Sequence, residues 1–241
     1  MGGLDPGGGA GLARDFATAG ALGAAVTLVG TAWTDQSRHG VRGFEPRAPE
    51  SVRAAVRRAS EEVAAIKIGM VGTPAAMEAI LAALADFPGP VVFDPVLGAT
   101  SGGILFAGAA RELLPLVRRA SLTTPNLAEA TALTGLPAGT IEEARAAARA
   151  LVAEGAAAVL VKGGHLAGAA TDLLVTAHDE ESFTAPRLPG PSPRGTGCAL
   201  ATAIAVELAR GRPLREAVAA AKEWLWERIR EARTVGDERH L

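Results

Sequence analysis

Apolar positions recur along the chain in two alternating rhythms. Segments with helical spacing run over Leu12–Leu22, Ser51–Ala65, Pro74–Ala85, the region around Leu105–Val117, Leu127–Leu133, Ile141–Glu154, Gly197–Arg210 and Leu214–Arg233. Between them lie short apolar runs of strand character at Ala25–Ala32, Ile66–Gly69, Pro90–Pro95, Ser121–Thr123 and Ala157–Gly164. Thr171–Pro186 holds two strand-like runs around a polar turn near His178–Glu181 and predicts a β-hairpin. Strands that alternate with helix-length segments predict an α/β fold, a mostly parallel, doubly wound sheet covered on both faces. Right-handed crossovers gather the strand C-termini on one edge, where such sheets bind ligands. Gln36, Gly69-Met70, Asp94, Asn126, Lys162 and the Gly195–Cys198 turn all follow strands. Chemistry is therefore expected along that edge.

The uncharged run Phe16–Thr34 has the length of a membrane span, but Gly, Ala and Thr dominate it and it reads as a helix end followed by a strand. With 241 residues, 49% hydrophobic content and a net charge of −2, the chain can bury a sizeable core. Its acids and bases are interspersed, so no basic stripe points to nucleic acid or a membrane surface. A single cysteine makes no internal disulfide, and no basic and apolar leader is evident. A cytoplasmic protein acting on small molecules is the expectation.

Gly195-Thr196-Gly197 runs straight into a helix whose unpaired N–H groups and dipole favour negative charge. Its glycines let a ligand approach the backbone, so the turn suits a phosphoryl group in transfer. The same field predicts that Cys198 ionises more easily than a free cysteine and accepts the proton of an incoming hydroxyl. The plain alternative is a small apolar residue starting a buried helix. Lys162 ends an apolar strand before Gly163-Gly164 and suits a nucleotide phosphate, or is a surface lysine in a turn. Asp94 ends "VVFDP" and suits Mg²⁺ or a proton, or caps a turn. Asn126 and Glu129 share a helix face and suit Mg²⁺ directly or through water. The same pair reads as a near capping box. His39, His165, His178 and His240 show no metal-ligand spacing, no Ser-His-Asp signature is present, and the glycine-rich opening lacks the Lys-Ser/Thr of a Walker motif.

The stretches "GLDPGGGAGLARD", "DQSRHGV", "IKIGMVG", "DPVLGATSGG", "TTPNLAEA", "VKGGHL" and "GTGCALATAIA" occur in the order found in hydroxymethylpyrimidine/phosphomethylpyrimidine kinases of thiamine biosynthesis. The chain resembles that family from about Gly2 to Trp226. The resemblance implies one ribokinase-like, three-layer α/β/α domain over residues 1–241 and two successive transfers from ATP, to a hydroxymethylpyrimidine and then to its monophosphate. It implies that Cys198 lies beside the acceptor hydroxyl, that Gly195, Thr196 and Gly197 form an anion hole, and that Lys162, with Thr196, serves the ATP phosphates. Asp94, Asn126 and Glu129 would surround Mg²⁺ and its waters. Asp15 and Gln36 would hydrogen-bond the ring, Met70 would pack against it, and Gly3 and Ala10 would supply backbone around it. A homodimer is also implied. The chain departs from the family pattern in four places. The first strand is missing or truncated, Gly103 replaces an acid, Arg194 stands where His is usual, and the tail is shortened to "VGDERHL". A pyridoxine/pyridoxal kinase and a catalytically impaired pyrimidine-binding module are the alternative readings. Gln36 and the cysteine turn favour the pyrimidine.

Overall fold

A computed structural model describes residues 1–37, 40–99, 102–164, 169–235 and 238–241. Chain order runs β1 (Gly2–Leu4), α1 (Gly11–Ala21), β2 (Gly30–Ser37), β3 (Gly40–Pro46), α2 (Pro49–Ser60), β4 (Ile66–Ile68), α3 (Pro74–Ala83) and β5 (Val91–Phe93). It continues through α4 (Leu114–Arg119), β6 (Leu122–Thr123), α5 (Leu127–Thr134), α6 (Ile141–Ala153), β7 (Ala158–Val161), β8 (Ala170–Thr176) and β9 (Glu180–Ala185). The last elements are α7 (Thr196–Ala209), α8 (Leu214–Glu231), β10 (Arg233–Val235) and β11 (Glu238–His240). His39, His165 and the Thr100-Ser101 part of one motif lie outside the described residues.

One sheet has the order β4-β5-β6-β7-β8-β9, parallel from β4 to β7 and antiparallel at β8 and β9. A second sheet joins β1 to β2 in parallel and β2 to β3 antiparallel. Met1 links the two. The Gly69 N–H donates to its carbonyl at 2.9 Å, and its own ammonium donates to the Lys67 carbonyl, the bonding pattern of a parallel ladder. Alternate strand residues enter different layers. Val91, Phe93, Val159 and Val161 pack with α2 through α6, while Val92, Ala158 and Leu160 pack with α7 and α8. Near-continuous apolar strands are what a sheet buried on both faces requires.

The expected elements are present with shifted ends. The first strand, expected to be missing or truncated, is three residues long, Gly2–Leu4. The strand expected at Ala25–Ala32 begins only at Gly30 and runs on to Ser37, pairing with β3 in a hairpin the sequence reading did not foresee. Helix α2 opens with Pro49 in its first turn and closes at Ser60 rather than Ala65, since the chain must extend into β4. The region around Leu105–Val117 holds a 3₁₀ turn at Ala110–Leu113 and the short α4. Leu105-Phe106 is not helical, because Phe106 bridges to Gly72. The tail adds the β10–β11 hairpin.

Residues Ala24–Val29 reach β2 without joining a ladder. A cavity of about 400 Å³ separates them from the segment Val63–Lys67. Met1 closes one end of this slot. Among the described residues, no backbone group of Ala25–Leu28 has a hydrogen-bond partner, and Val26 and Leu28 are 38% and 42% exposed.

Candidate active site

The ladder carries its order past the strand ends and fixes the residues that follow. The Asp94 N–H donates to the Ile68 carbonyl and the Thr124 N–H to the Phe93 carbonyl, both at 2.8 Å. The Lys162 N–H donates to the Pro125 carbonyl, also at 2.8 Å, which sets Lys162 beside Asn126. Asp94, Asn126 and Lys162 therefore stand in a row on neighbouring strands.

Their side chains converge. Lys162 Nζ meets Asp94 Oδ1 at 2.5 Å and lies 3.9 Å from Glu129 Oε2. Thr124 Oγ1 donates to the same Asp94 oxygen at 3.1 Å. Burial alone would raise the Asp94 carboxyl, but the Lys162 and Lys67 cations hold it below its ordinary value. Burial likewise works against the Lys162 ammonium, and Asp94 and Glu129 outweigh it to raise its pKa. Glu129 goes the other way: burial pushes its carboxyl up to about 7, and the Lys162 charge reverses only part of that. Asn126 and Glu129 form a complete capping box on α5. Asn126 Oδ1 accepts the Glu129 N–H at 2.9 Å, and Glu129 Oε2 accepts the Asn126 N–H at 2.7 Å. That arrangement still leaves Glu129 Oε1 and oxygens of Asp94 as hard donors of the kind Mg²⁺ takes. Among the described residues no three His, Cys, Asp or Glu side chains gather as a metal site.

The α7 turn stands next to this cluster. A Cβ placed on Gly197 would lie 3.2 Å from Lys162 Nζ, so the lysine and the helix N-terminus address the same space. Gly195 caps the helix with φ of 75°, a left-handed conformation that glycine adopts without strain. A Cβ there would stand 2.2 Å from the Gly9 carbonyl oxygen, so the turn seats directly on the glycine-rich opening. Asp5 shapes that opening by accepting the N–H groups of Gly7 at 2.9 Å and Ala10 at 3.0 Å.

Cys198 corrects one expectation. Its thiol is not easier to ionise. Burial pushes the pKa up to about 11, against the Lys67 cation and a backbone hydrogen bond from Gly11. A helix dipole is worth about 0.3–1 kcal/mol in ordinary settings, which is too little to offset the burial of a thiolate. Cys198 is therefore a neutral thiol at pH 7. Iodoacetamide should label it at least about tenfold more slowly at pH 7.5 than a free cysteine, even after allowing for the higher nucleophilicity of a high-pKa thiolate. The rate should still be climbing above pH 9. A plateau below pH 8 would contradict the raised value.

The residues matched to the pyrimidine fall into two groups. Gly3 and Met70 are in contact, a Cβ on Gly3 lying 2.5 Å from Met70 Sδ, and Met70 packs with Ala32 and Leu105. Gln36 lies on β2 opposite Val41 of β3 and is half-buried, while Ala10 precedes α1 with its N–H held by Asp5. Asp15 is turned inward. It is 4% exposed, and Lys67 Nζ holds Oδ1 and Oδ2 at 2.8 and 3.0 Å while Thr202 Oγ1 donates to Oδ1 at 2.8 Å. Asp15 and neighbouring charges keep the Lys67 pKa high although burial opposes it. Lys67 belongs to none of the strand-end positions that mark the other site residues. Its signal was present as a lone cation inside the apolar strand "AIKIG".

A doubly wound sheet with a cation, two carboxylates and a glycine-capped helix N-terminus at one edge defines a phosphotransferase of the ribokinase-like fold. The phosphomethylpyrimidine kinase family profile matches residues 5–241, and the chain belongs to that family. It is 44% identical over 232 residues to a hydroxymethylpyrimidine/phosphomethylpyrimidine kinase of Rhizobium meliloti, covering 92% of this chain and 86% of that protein. The crystal structure of phosphomethylpyrimidine kinase from Clostridium difficile superposes with a TM-score of 0.81 at 31% identity, covering 95% of this chain and 96% of the other. An ADP complex of Bacillus subtilis pyridoxal kinase gives a TM-score of 0.87 at 27% identity, covering 99% of this chain and 94% of that one. The protein is thus a kinase.

Proposed function

We propose that the protein transfers the γ-phosphoryl group of ATP to the hydroxymethyl group of 4-amino-5-hydroxymethyl-2-methylpyrimidine. It then transfers a second phosphoryl group to the resulting monophosphate, for thiamine biosynthesis. The observation that carries the reading is the convergence of Lys162, paired with Asp94, on the Gly195–Cys198 turn. The acceptor oxygen forms a bond to the γ-phosphorus as the bond to the ADP oxygen breaks. Lys162 and the α7 N–H groups meet the charge that spreads over the transferring oxygens. Such transfers are loose and release the hydroxyl proton late. A neutral Cys198 thiol then serves as a hydrogen-bond partner that positions the hydroxyl, and the proton leaves on a phosphoryl oxygen or water. Asp94 and Glu129, with Asn126 beside them, would hold Mg²⁺, which neutralises phosphate charge when bound. Gly3, Met70, Gln36 and Ala10 receive the ring, with Asp15 behind them, and Thr196 joins Lys162 on the nucleotide side. The chain acts as one domain, as a homodimer and in the cytoplasm. Its single cysteine fits that compartment, and among the described residues no helix is long and apolar enough to cross a membrane.

The test is to incubate the protein with Mg-ATP and the hydroxymethylpyrimidine and to follow products by mass. Monophosphate followed by diphosphate is expected. Turnover of pyridoxal with none of the pyrimidine overturns the substrate assignment, and pyrimidine binding without turnover overturns the kinase reading for this substrate.

A further inference from the structure

A second cationic feature lies where the two glycine-rich turns meet, apart from Lys162. Two arginines reach the contact between Gly9 and Gly195. Arg14, in the first turn of α1, places its Cγ 3.2 Å from the Cβ position of Gly195. Arg194 places Cζ and Nη1 3.3 Å from the Cβ position of Gly9. Both guanidinium groups are poorly partnered. Arg14 is 7% exposed, yet among the described residues no Asp or Glu side chain pairs with it, and its Nε finds no acceptor. Its Nη1 reaches a main-chain oxygen of Leu241, the last residue, at 3.4 Å, a long contact. Arg194 Nη2 reaches Asp5 Oδ2, also at 3.4 Å, while that oxygen already accepts the Ala10 N–H at 3.0 Å.

A guanidinium carries a fork of N–H donors suited to planar or tetrahedral oxyanions, and each of these uses one donor at the limit of a hydrogen bond. A buried cation whose charge is met only by long contacts is expensive, and an arriving dianion relieves that cost. We infer that Arg14 and Arg194 form a phosphate subsite that receives the existing phosphate of a phosphomonoester acceptor. The inference rests on the reading that the monophosphate is a substrate of the second transfer. A phosphomonoester brings about −1.5 to −2 charge at neutral pH. Lys162, paired with Asp94, serves the nucleotide in that reading, so the acceptor's charge needs a separate counter-charge. The hydroxymethyl acceptor of the first transfer carries no such charge. The pair therefore sets the preference between the two acceptors.

The test compares Arg194→Gln and Arg14→Gln with the parent chain on both acceptors. The ratio of kcat/KM for the monophosphate over that for the unphosphorylated pyrimidine should fall at least tenfold in each variant. Inorganic phosphate, titrated against the parent and followed by ³¹P NMR, should bind, and its Kd should rise at least tenfold in Arg194→Gln. Equal loss on both acceptors, or unchanged phosphate affinity, overturns the subsite. Arg14→Lys keeps the charge and should retain more of the ratio than Arg14→Gln; identical behaviour of the two counts against Arg14 as a ligand, and a misfolded Arg14→Gln leaves Arg194→Gln to decide. If the parent turns over neither acceptor, the functional reading fails by itself, and the phosphate titration alone decides the subsite.

Discussion

Gly195→Ala protein is expected to transfer phosphoryl groups on the order of 10²–10³ times more slowly than the parent, the loss seen when one preorganised anion-hole donor is displaced. The reason is steric and local. Gly195 sits at φ of 75°, and a methyl group there would fall 2.2 Å from the Gly9 carbonyl oxygen. Backbone cannot yield as the tip of a side chain can, so the α7 turn and the Gly9 loop must part. Their separation moves the helix N–H groups away from Lys162. The left-handed conformation adds about 1–2 kcal/mol of strain for a residue bearing a Cβ. The fall should be concentrated in kcat, because the donors matter most to charge that develops during transfer. Steady-state kinetics with circular dichroism as a folding control reads this directly. Parent-like kcat in a folded variant would remove the turn from the chemistry.

The largest loss of stability is expected from Lys67→Met, about 3–5 kcal/mol, the cost of stranding a buried ionic partner. Lys67 is the ion-pair partner of Asp15, and both side chains are buried. Methionine matches the length of the lysine stem but leaves Asp15 charged, buried and reliant on Thr202. For a chain of this size the melting point should fall by roughly 10 °C. The double variant Lys67→Met, Asp15→Asn should recover much of the loss, because it removes the orphaned charge. A double variant no better than the single one would show that Lys67 contributes packing rather than pairing. The sign with pH follows from the lysine. Its folded-state pKa is raised, so the pairing persists across the neutral range and is lost only as the pH climbs through strongly alkaline values.

Much of the site was readable in the residues because glycine, proline and strand-terminal charges act locally. "GTGC" requires a tight turn before a helix, and the turn is there. Asp94 and Lys162 end apolar strands, and the parallel ladder necessarily brings such ends together. Asn126 and Glu129 were open to two readings, and the capping box is present in full. What escaped depended on distant partners. Lys67 finds Asp15 across 52 positions, and nothing near either residue declares the pair. The strand at Ala25–Ala32 has sound strand composition but lacks a neighbour over its first half, and a strand is defined by pairing rather than by propensity. The thiol departs from its expected ionisation because the helix field is visible in sequence, whereas the burial that overrides it depends on how distant parts of the chain pack around the turn.

The slot between Ala24–Val29 and β4 also governs how folded molecules behave towards one another. An unpaired row of amides and carbonyls flanked by exposed Val26 and Leu28 is a template that any extended segment can copy. With a net charge of only −2, the surface offers little long-range repulsion to keep such encounters apart. Concentrated stocks of this chain are expected to associate while still native, read as a rise in mass by light scattering at unchanged circular dichroism. Dilution, or a charged residue at position 26 or 28, will do more to keep them clear than will lowering the temperature.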